Sequence, residues 1–203
     1  TGLFSVDAQG SSAPRTLVRP QWDVVREATP IASRVLEANH RLHSVLRDGS
    51  DDVIVEEYQW NNIGEIVTTT LKRVNAATGA VRQISVGAPP GRVDWTVDRS
   101  GQPRVVITHQ DDKEIIYWKA TASSDWTQVE AHDRYAERRT FEPLYVEGSV
   151  LYAGARIGDT LSFATIDMNE GTRKPRPLIS APGYDIQGVP VRDASGALLG
   201  VHY

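Results

Sequence analysis

Val97-Asp98-Arg99-Ser100-Gly101 ends one apolar run and leads into the next. The same form returns at Leu46-Arg47-Asp48-Gly49, at Val146-Glu147-Gly148 and at Val191-Arg192-Asp193-Ala194-Ser195-Gly196. Each time an apolar strand passes through a polar loop with Gly into a second apolar strand. Gly supplies the positive φ that a tight turn needs, and Asp or Ser bonds back to the turn backbone. Gly49, Gly101, Gly148 and Gly196 lie 52, 47 and 48 residues apart, and two of the turns share the string Asp-x-Ser-Gly.

A second series is interleaved with the first. Leu71–Asn75 runs through Thr78-Gly79 to Val81–Ile84, Ile116–Ala120 through Ser123-Ser124 to Trp126–Val129, and Phe163–Asp167 through Glu170-Gly171 to Pro177–Ile179. Leu3–Asp7, through Gln9-Gly10 to Arg15–Leu17, is the same unit at the start of the chain. The repeat of about 45–50 residues thus holds four strands in two linked hairpins, which is the period of a propeller blade.

The strands of a blade, A to D, are expected as follows. Strand A falls at 41–46, 92–97, 140–146 and 185–191; strand B at 52–58, 103–109, 149–156 and 197–202. Strand C falls at 3–7, 65–74, 114–119 and 160–167; strand D at 15–18, 80–85, 126–130 and 176–180. The fold class is all-β: a β-propeller segment of four-stranded antiparallel blades, about four blades' worth. A sandwich would not keep so steady a period. The organisation reads as one propeller segment over 1–203. It has a half-blade at 1–18, an irregular or short helical connection at 19–40, blades at about 41–85, 92–130 and 140–180, and a half-blade at 185–203. Pro20 and Pro30 limit the helical pattern of Val24, Val25, Ile31, Val35 and Leu36 to one or two turns.

The chain starts without Met or a signal pattern, in what reads as mid-strand. It is expected to be an open arc of a larger ring rather than a small closed one. Half-blades expose unpaired backbone groups, so edge pairing within the chain or with a neighbour (edge-strand self-association) is expected.

Composition narrows the function. The 203 residues include no Cys, which removes disulfides, thiolate metal sites and Cys nucleophiles, and fits the bacterial periplasm and the cytoplasm alike. A net charge of −4 argues against nucleic-acid binding, which needs a basic face. No apolar run approaches the roughly 18 residues of a membrane span.

Several strings resemble the N-terminal propeller of the prolyl oligopeptidase-like (S9 family) serine peptidases. Leu3-Phe4-Ser5-Val6-Asp7 resembles that family's Leu-Tyr-x-Val-Asp strand. His43–Leu46 through Asp48 to Asp52–Val55 resembles the hairpin that follows it. Val93–Asp98 with Gly101 and Arg104–Val106, and Pro182–Ile186 followed by Asp193–Gly196 and Leu199–Val201, resemble later blades. These loose motifs, some shared with TolB-like and other propellers, cover essentially the whole chain.

The resemblance implies a parent peptidase. Its partners would be a peptide substrate and an α/β-hydrolase domain of the same polypeptide, whose nucleophile sits in a Gly-x-Ser-x-Gly elbow. Here the Gly-x-x-x-Gly strings that start at Gly87, Gly154 and Gly196 carry Pro89, Arg156 and Leu198 at their centres, so none supplies the Ser. The chain is therefore expected to be the non-catalytic gate, with no catalytic, cofactor-binding or metal-binding residue and no cofactor. A TolB-like or other protein-binding scaffold is the alternative. A propeller glycosidase or lyase ranks last, because nothing in the sequence pairs two carboxylates.

The candidate residues read as structural. His40, His43, His109, His132 and His202 form no metal-ligand pair at useful spacing. Glu56-Glu57 could in principle hold a peptide amine, but strand neighbours point to opposite faces. Asp111-Asp112-Lys113-Glu114 reads as a hairpin tip, and Arg134, Glu137, Arg138 and Arg139 as a solvated connection between blades. Trp60, Trp95, Trp118 and Trp126 read as core aromatics.

Overall fold

The computed structural model describes residues 2–22, 35–46, 48–135, 139–193 and 197–202. Among these the chain is all-β, with sixteen strands and no helix. The helical turns expected around Val24, Val25 and Ile31 fall outside the described residues, as do Glu137, Arg138 and the centre of the Asp193–Ala197 turn. The chain divides into two compact units, Thr1–Gly87 and Ala88–Tyr203.

The first unit holds a two-stranded sheet, β1 (Leu3–Ser5) with β2 (Arg15–Val18). Its second sheet runs in the order β3 (His40–Val45), β4 (Asp52–Trp60), β5 (Ile66–Asn75) and β6 (Val81–Gln83). All neighbours are antiparallel. Leu17, Val18, Val55 and Val74 form the core, backed by Leu3, Leu36 and Val53. Leu36, expected on a helical face, instead makes a parallel bridge to Val18, and its N–H donates to the Leu17 carbonyl at 2.9 Å. Ser5 Oγ donates to the Ala76 carbonyl at 2.7 Å and ties the first sheet to the second.

The second unit repeats the four-strand order twice. One sheet runs β7 (Arg92–Val97), β8 (Pro103–Gln110), β9 (Lys113–Lys119) and β10 (Trp126–Asp133). The next runs β11 (Phe141–Glu147), β12 (Val150–Ile157), β13 (Thr160–Asp167) and β14 (Arg176–Ile179). A two-stranded sheet of β15 (Val189–Arg192) and β16 (Leu198–His202) follows. First strands lie against one another: Asp98, after β7, bridges Val146 of β11, and β15 lies against β11.

Residues two apart in a strand share a face, and the core follows that rule. β12 buries Leu151, Ala153 and Ala155, and β13 adds Ala164 and Ile166. These small side chains admit the larger Ile107, Ile116, Trp118 and Phe141. Each fully buried aliphatic side chain contributes about 1.5–3 kcal/mol.

The turns obey the expected chemistry. Asp98 Oδ1 accepts from Ser100 N at 3.0 Å, Ser100 Oγ at 2.7 Å and Gln102 N at 3.0 Å. Asp48 Oδ1 accepts from Ser50 N at 3.0 Å, and Asp193 Oδ1 from Ala197 N at 3.0 Å.

Boundaries shift by two or more residues at several strands: β1 ends early at Ser5 and β4 runs on to Trp60. β10 runs on to Asp133, β6 ends early at Gln83, and β15 begins at Val189 rather than at 185. In the last case the Leu161 N–H donates to Asp185 Oδ1 at 2.6 Å, and Ile186 N donates to the Leu161 carbonyl at 2.8 Å. Those bonds hold 185–186 against β13 and delay the new strand.

Candidate functional site

The densest polar cluster of the second unit centres on Glu114, at the start of β9. The β8–β9 hairpin sets it opposite His109, and the β9–β10 pairing sets it opposite His132. The tip between β8 and β9 is closed by Asp111, whose φ of 53° is tolerated by Asp better than by most residues. Of the expected tip Asp111–Glu114, Asp111 and Asp112 form the turn, whereas Lys113 and the buried Glu114 already lie on β9.

Glu114 Oε2 lies 3.1 Å from His109 Nε2, and Oε1 lies 3.2 Å from His132 Nε2. Arg139 Nε reaches Oε1 at 2.5 Å, and the same guanidinium pairs with Glu142. Glu114 is buried. Burial alone would raise its pKa, but the Arg139 charge and the His109 hydrogen bond outweigh that and hold the carboxyl below its usual range. Burial instead raises the Glu142 carboxyl, with help from the charges of Asp94 and Glu114.

The cluster opens onto a cleft of about 650 Å³ lined by His132, Arg139, Glu142, Arg156 and Gln187. A more apolar groove of about 470 Å³ shares Glu142 and Gln187 with it and continues over Leu144, Leu161, Phe163, Ile186 and Val189.

The first unit carries a separate cluster on β3–β5. Glu56 and Glu57 point to opposite faces, as expected. Tyr58 Oη donates to Glu56 Oε2 at 2.7 Å, and His43 Nδ1 lies 3.7 Å from the same oxygen. On the other face Glu57 takes Lys72 Nζ at 3.0 Å and Thr70 Oγ1 at 2.9 Å. Burial would raise both carboxyls. The His43 and Tyr58 bonds at Glu56, and the Lys72 and Thr70 bonds at Glu57, lower them overall.

His40 is buried beside Lys72, and burial first, then the Lys72 charge, lower its pKa. The neutral ring fits its contacts. Nδ1 lies 3.0 Å from the Glu37 carbonyl and donates to it, leaving Nε2 to accept from Lys72 Nζ at 2.9 Å.

The contacts around Glu56, Glu57 and Glu114 favour their charged form, and Glu142 is the exception. His40, His43, His109 and His132 all face glutamates. Among the described residues no group of three or more His, Asp or Glu could hold a metal ion. At Glu114 the reason is visible: a guanidinium already occupies the place a cation would take.

Arg139, expected in a solvated loop, instead anchors this cluster. Trp95 and Trp118 are core, and Trp95 meets Trp126 edge-on at 6.2 Å. Trp60 is a correction: it lies 45% exposed at the end of β4, past a bulge, and stacks on Tyr58 at 5.9 Å.

The residue that sequence reasoning missed is Arg104. It is buried, and its guanidinium lies 4.7 Å from the Trp118 ring centre. It donates to the carbonyls of Lys119 at 2.7 Å, Ala120 at 2.7 Å and Gly148 at 2.8 Å, and to Asp98 Oδ2 at 3.1 Å. The signal was there: a cation inside the apolar run Pro103–Ile107, six residues after a turn Asp.

Comparison with family models, curated proteins and solved structures finds no match to this chain. No helix among the described residues is long and apolar enough to cross a membrane.

Proposed function

We propose that the chain is the non-catalytic, substrate-gating propeller portion of a prolyl oligopeptidase-like serine peptidase. The observation that carries this reading is the blade order of the sheets. A first strand, an Asp- or Gly-centred turn and three further antiparallel strands recur, and of the strings that resemble the family His43–Val45, Asp52–Val55, Val93–Val97 and Arg104–Val106 fall on those strands. The polar clusters support a structural role, since Glu56, Glu57 and Glu114 are already engaged by neighbouring side chains, Tyr58 at Glu56, Lys72 and Thr70 at Glu57, and Arg139 at Glu114. A gate of this kind admits short peptides to a hydrolase domain and excludes folded proteins by size.

The reading is tested in two ways. The coding sequence around this segment is expected to carry a Gly-x-Ser-x-Gly elbow with downstream Asp and His. The chain alone is expected to cleave no peptide panel and to take no fluorophosphonate label. Further blade repeats with no hydrolase elbow would favour a TolB-like or other binding scaffold, and labelling of the chain itself would overturn both readings.

A further inference from the structure

We propose that the cleft beside the Glu114 cluster binds a small molecule that carries one carboxylate on an apolar body. The carboxylate would sit between Arg134 and Arg156, and the body over Gly154 and Leu161. The inference does not depend on the peptidase reading. The described lining comes from β9 to β13 and from the connections after β10 and β14. The volume of about 650 Å³ lies within the range of small-molecule sites.

The charges select the ligand. Three arginines and two glutamates line the cleft among the described residues. Arg139 is committed to both Glu114 and Glu142. Arg134 has no acidic partner among the described residues. Its backbone N–H donates to the Asp112 carbonyl at 2.8 Å, and its guanidinium lies 5.6 Å from the Tyr135 ring centre. Arg156 Nη1 donates to the Asp159 carbonyl at 2.7 Å, which holds the fork in place. Its Nη2 lies 3.5 Å from Asp185 Oδ2, with both side chains about half exposed. Such a pair is weak, and Asp185 keeps its bond from the Leu161 N–H whether or not Arg156 stays. A ligand carboxylate can therefore take the Arg156 fork without stranding a buried acid. Guanidinium forks match carboxylate and phosphate alike. A phosphate dianion, however, would meet the charges of Glu114 and Glu142 in the same cleft, and a single carboxylate meets half that repulsion.

Gly154 supplies the room. It lies inside β12, where glycine weakens a strand. Its φ is not positive, so the backbone does not demand glycine. Packing does not demand it either, because an added Cβ would meet only the Glu142 Cβ, at 3.8 Å. Its neighbours Ala153 and Ala155 point the other way and are fully buried in the core. Glycine inside a strand often marks the close approach of a ligand. Here the missing side chain leaves the floor of the cleft open between Glu142 and Leu161.

The probe is phenylacetate, added to the full isotope-labelled chain and followed by NMR. The expected result is one saturable site that shifts the Nε–H signals of Arg134 and Arg156 and the amide of Gly154. Phenylacetamide, which keeps the shape without the charge, should bind at least tenfold more weakly, and so should inorganic phosphate. Arg134→Gln and Arg156→Gln should each weaken binding at least fivefold at an unchanged urea midpoint, which separates binding from folding. Gly154→Val should weaken it at least tenfold by filling the floor. Gly154→Ala adds only an ordinary contact, so it keeps the fold and should give a smaller loss. The absence of a saturable shift at millimolar phenylacetate would overturn the proposal. Equal binding of phenylacetamide would do so by showing apolar adhesion alone, and equal binding of phosphate by showing a general anion site. Full binding by both Gly154 variants would place the ligand elsewhere.

Discussion

The Arg104 guanidinium donates to the Gly148 carbonyl at 2.8 Å, from the sheet of β7–β10 to the turn that joins β11 to β12. The same side chain satisfies Asp98 and the carbonyls of Lys119 and Ala120. Removing it would take a donor from Asp98 Oδ2 and from three carbonyls, although Ser100 and Gln102 still donate to Asp98 Oδ1. Arg104→Met is therefore expected to destabilise the second unit by about 3 kcal/mol. Arg104→Lys should recover only part of that, because an ammonium cannot span the fork. Urea unfolding followed by Trp fluorescence checks both, and a Met variant as stable as the parent would refute the role.

Glu114 predicts an acid-side dependence. Its folded pKa is held below its unfolded value. Its contribution is thus complete above the unfolded value of about 4.3 and lost as pH falls through the folded one. Glu56 and Glu57 act in the same sense. Thermal melts between pH 3 and 6 should show a steep loss of stability below about 4.3, and Glu114→Gln should flatten it while lowering stability at pH 7.

His40 predicts a second window. Its pKa is lowered, so the unfolded chain binds its proton first. The stabilisation from the neutral ring is complete above about 6.5 and is lost as pH falls from there towards the folded value. His40→Gln, which keeps a donor and an acceptor, should remove that part of the slope while leaving the Glu114 window in place.

The two exposed and buried indoles should separate cleanly. Trp118→Ala is expected to cost about 3–5 kcal/mol, because it opens a cavity under Arg104. Trp60→Ala is expected to stay within about 0.5 kcal/mol. Equal losses in denaturant would contradict the burial pattern.

Gly91 should resist substitution more than Gly49. Both have positive φ, but a Cβ on Gly91 would lie 2.2 Å from the His109 carbonyl oxygen, while one on Gly49 meets nothing within 4 Å. Gly49→Ala should cost about 1–2 kcal/mol from backbone strain alone. Gly91→Ala should cost more and disturb the His109–Gly91 hydrogen bond, visible as faster exchange of the His109 amide.

Strand positions were legible because each depends on neighbours two residues away and on a turn within a few more. Asp98 and Ser100 announce their turn locally, and Val105, Val106 and Ile107 announce a strand that is buried on both faces. Arg104 and Glu114 were less legible. Their partners, Gly148 and Arg139, are 44 and 25 residues distant, so the pairing exists only once sheets have registered. Trp60 misled for the opposite reason. Its composition says core, but a bulge between Gln59 and Trp60 and the end of β4 place the ring at the rim. At 185–191 the strand pattern was sound, and the Asp185–Leu161 bond took its first residues for another purpose.

The Asp-capped turns bear on how the chain is made. Among the described residues every pairing within a sheet joins strands that are consecutive in sequence, and Asp48 and Asp98 fasten their turns with bonds only two to four residues long. Loop closure over such short spans has a small entropy cost, and low contact order favours fast folding. Each hairpin can thus close soon after it leaves the ribosome, before the next one is synthesised. Few long-range partners then remain to be found when translation of a sheet is complete.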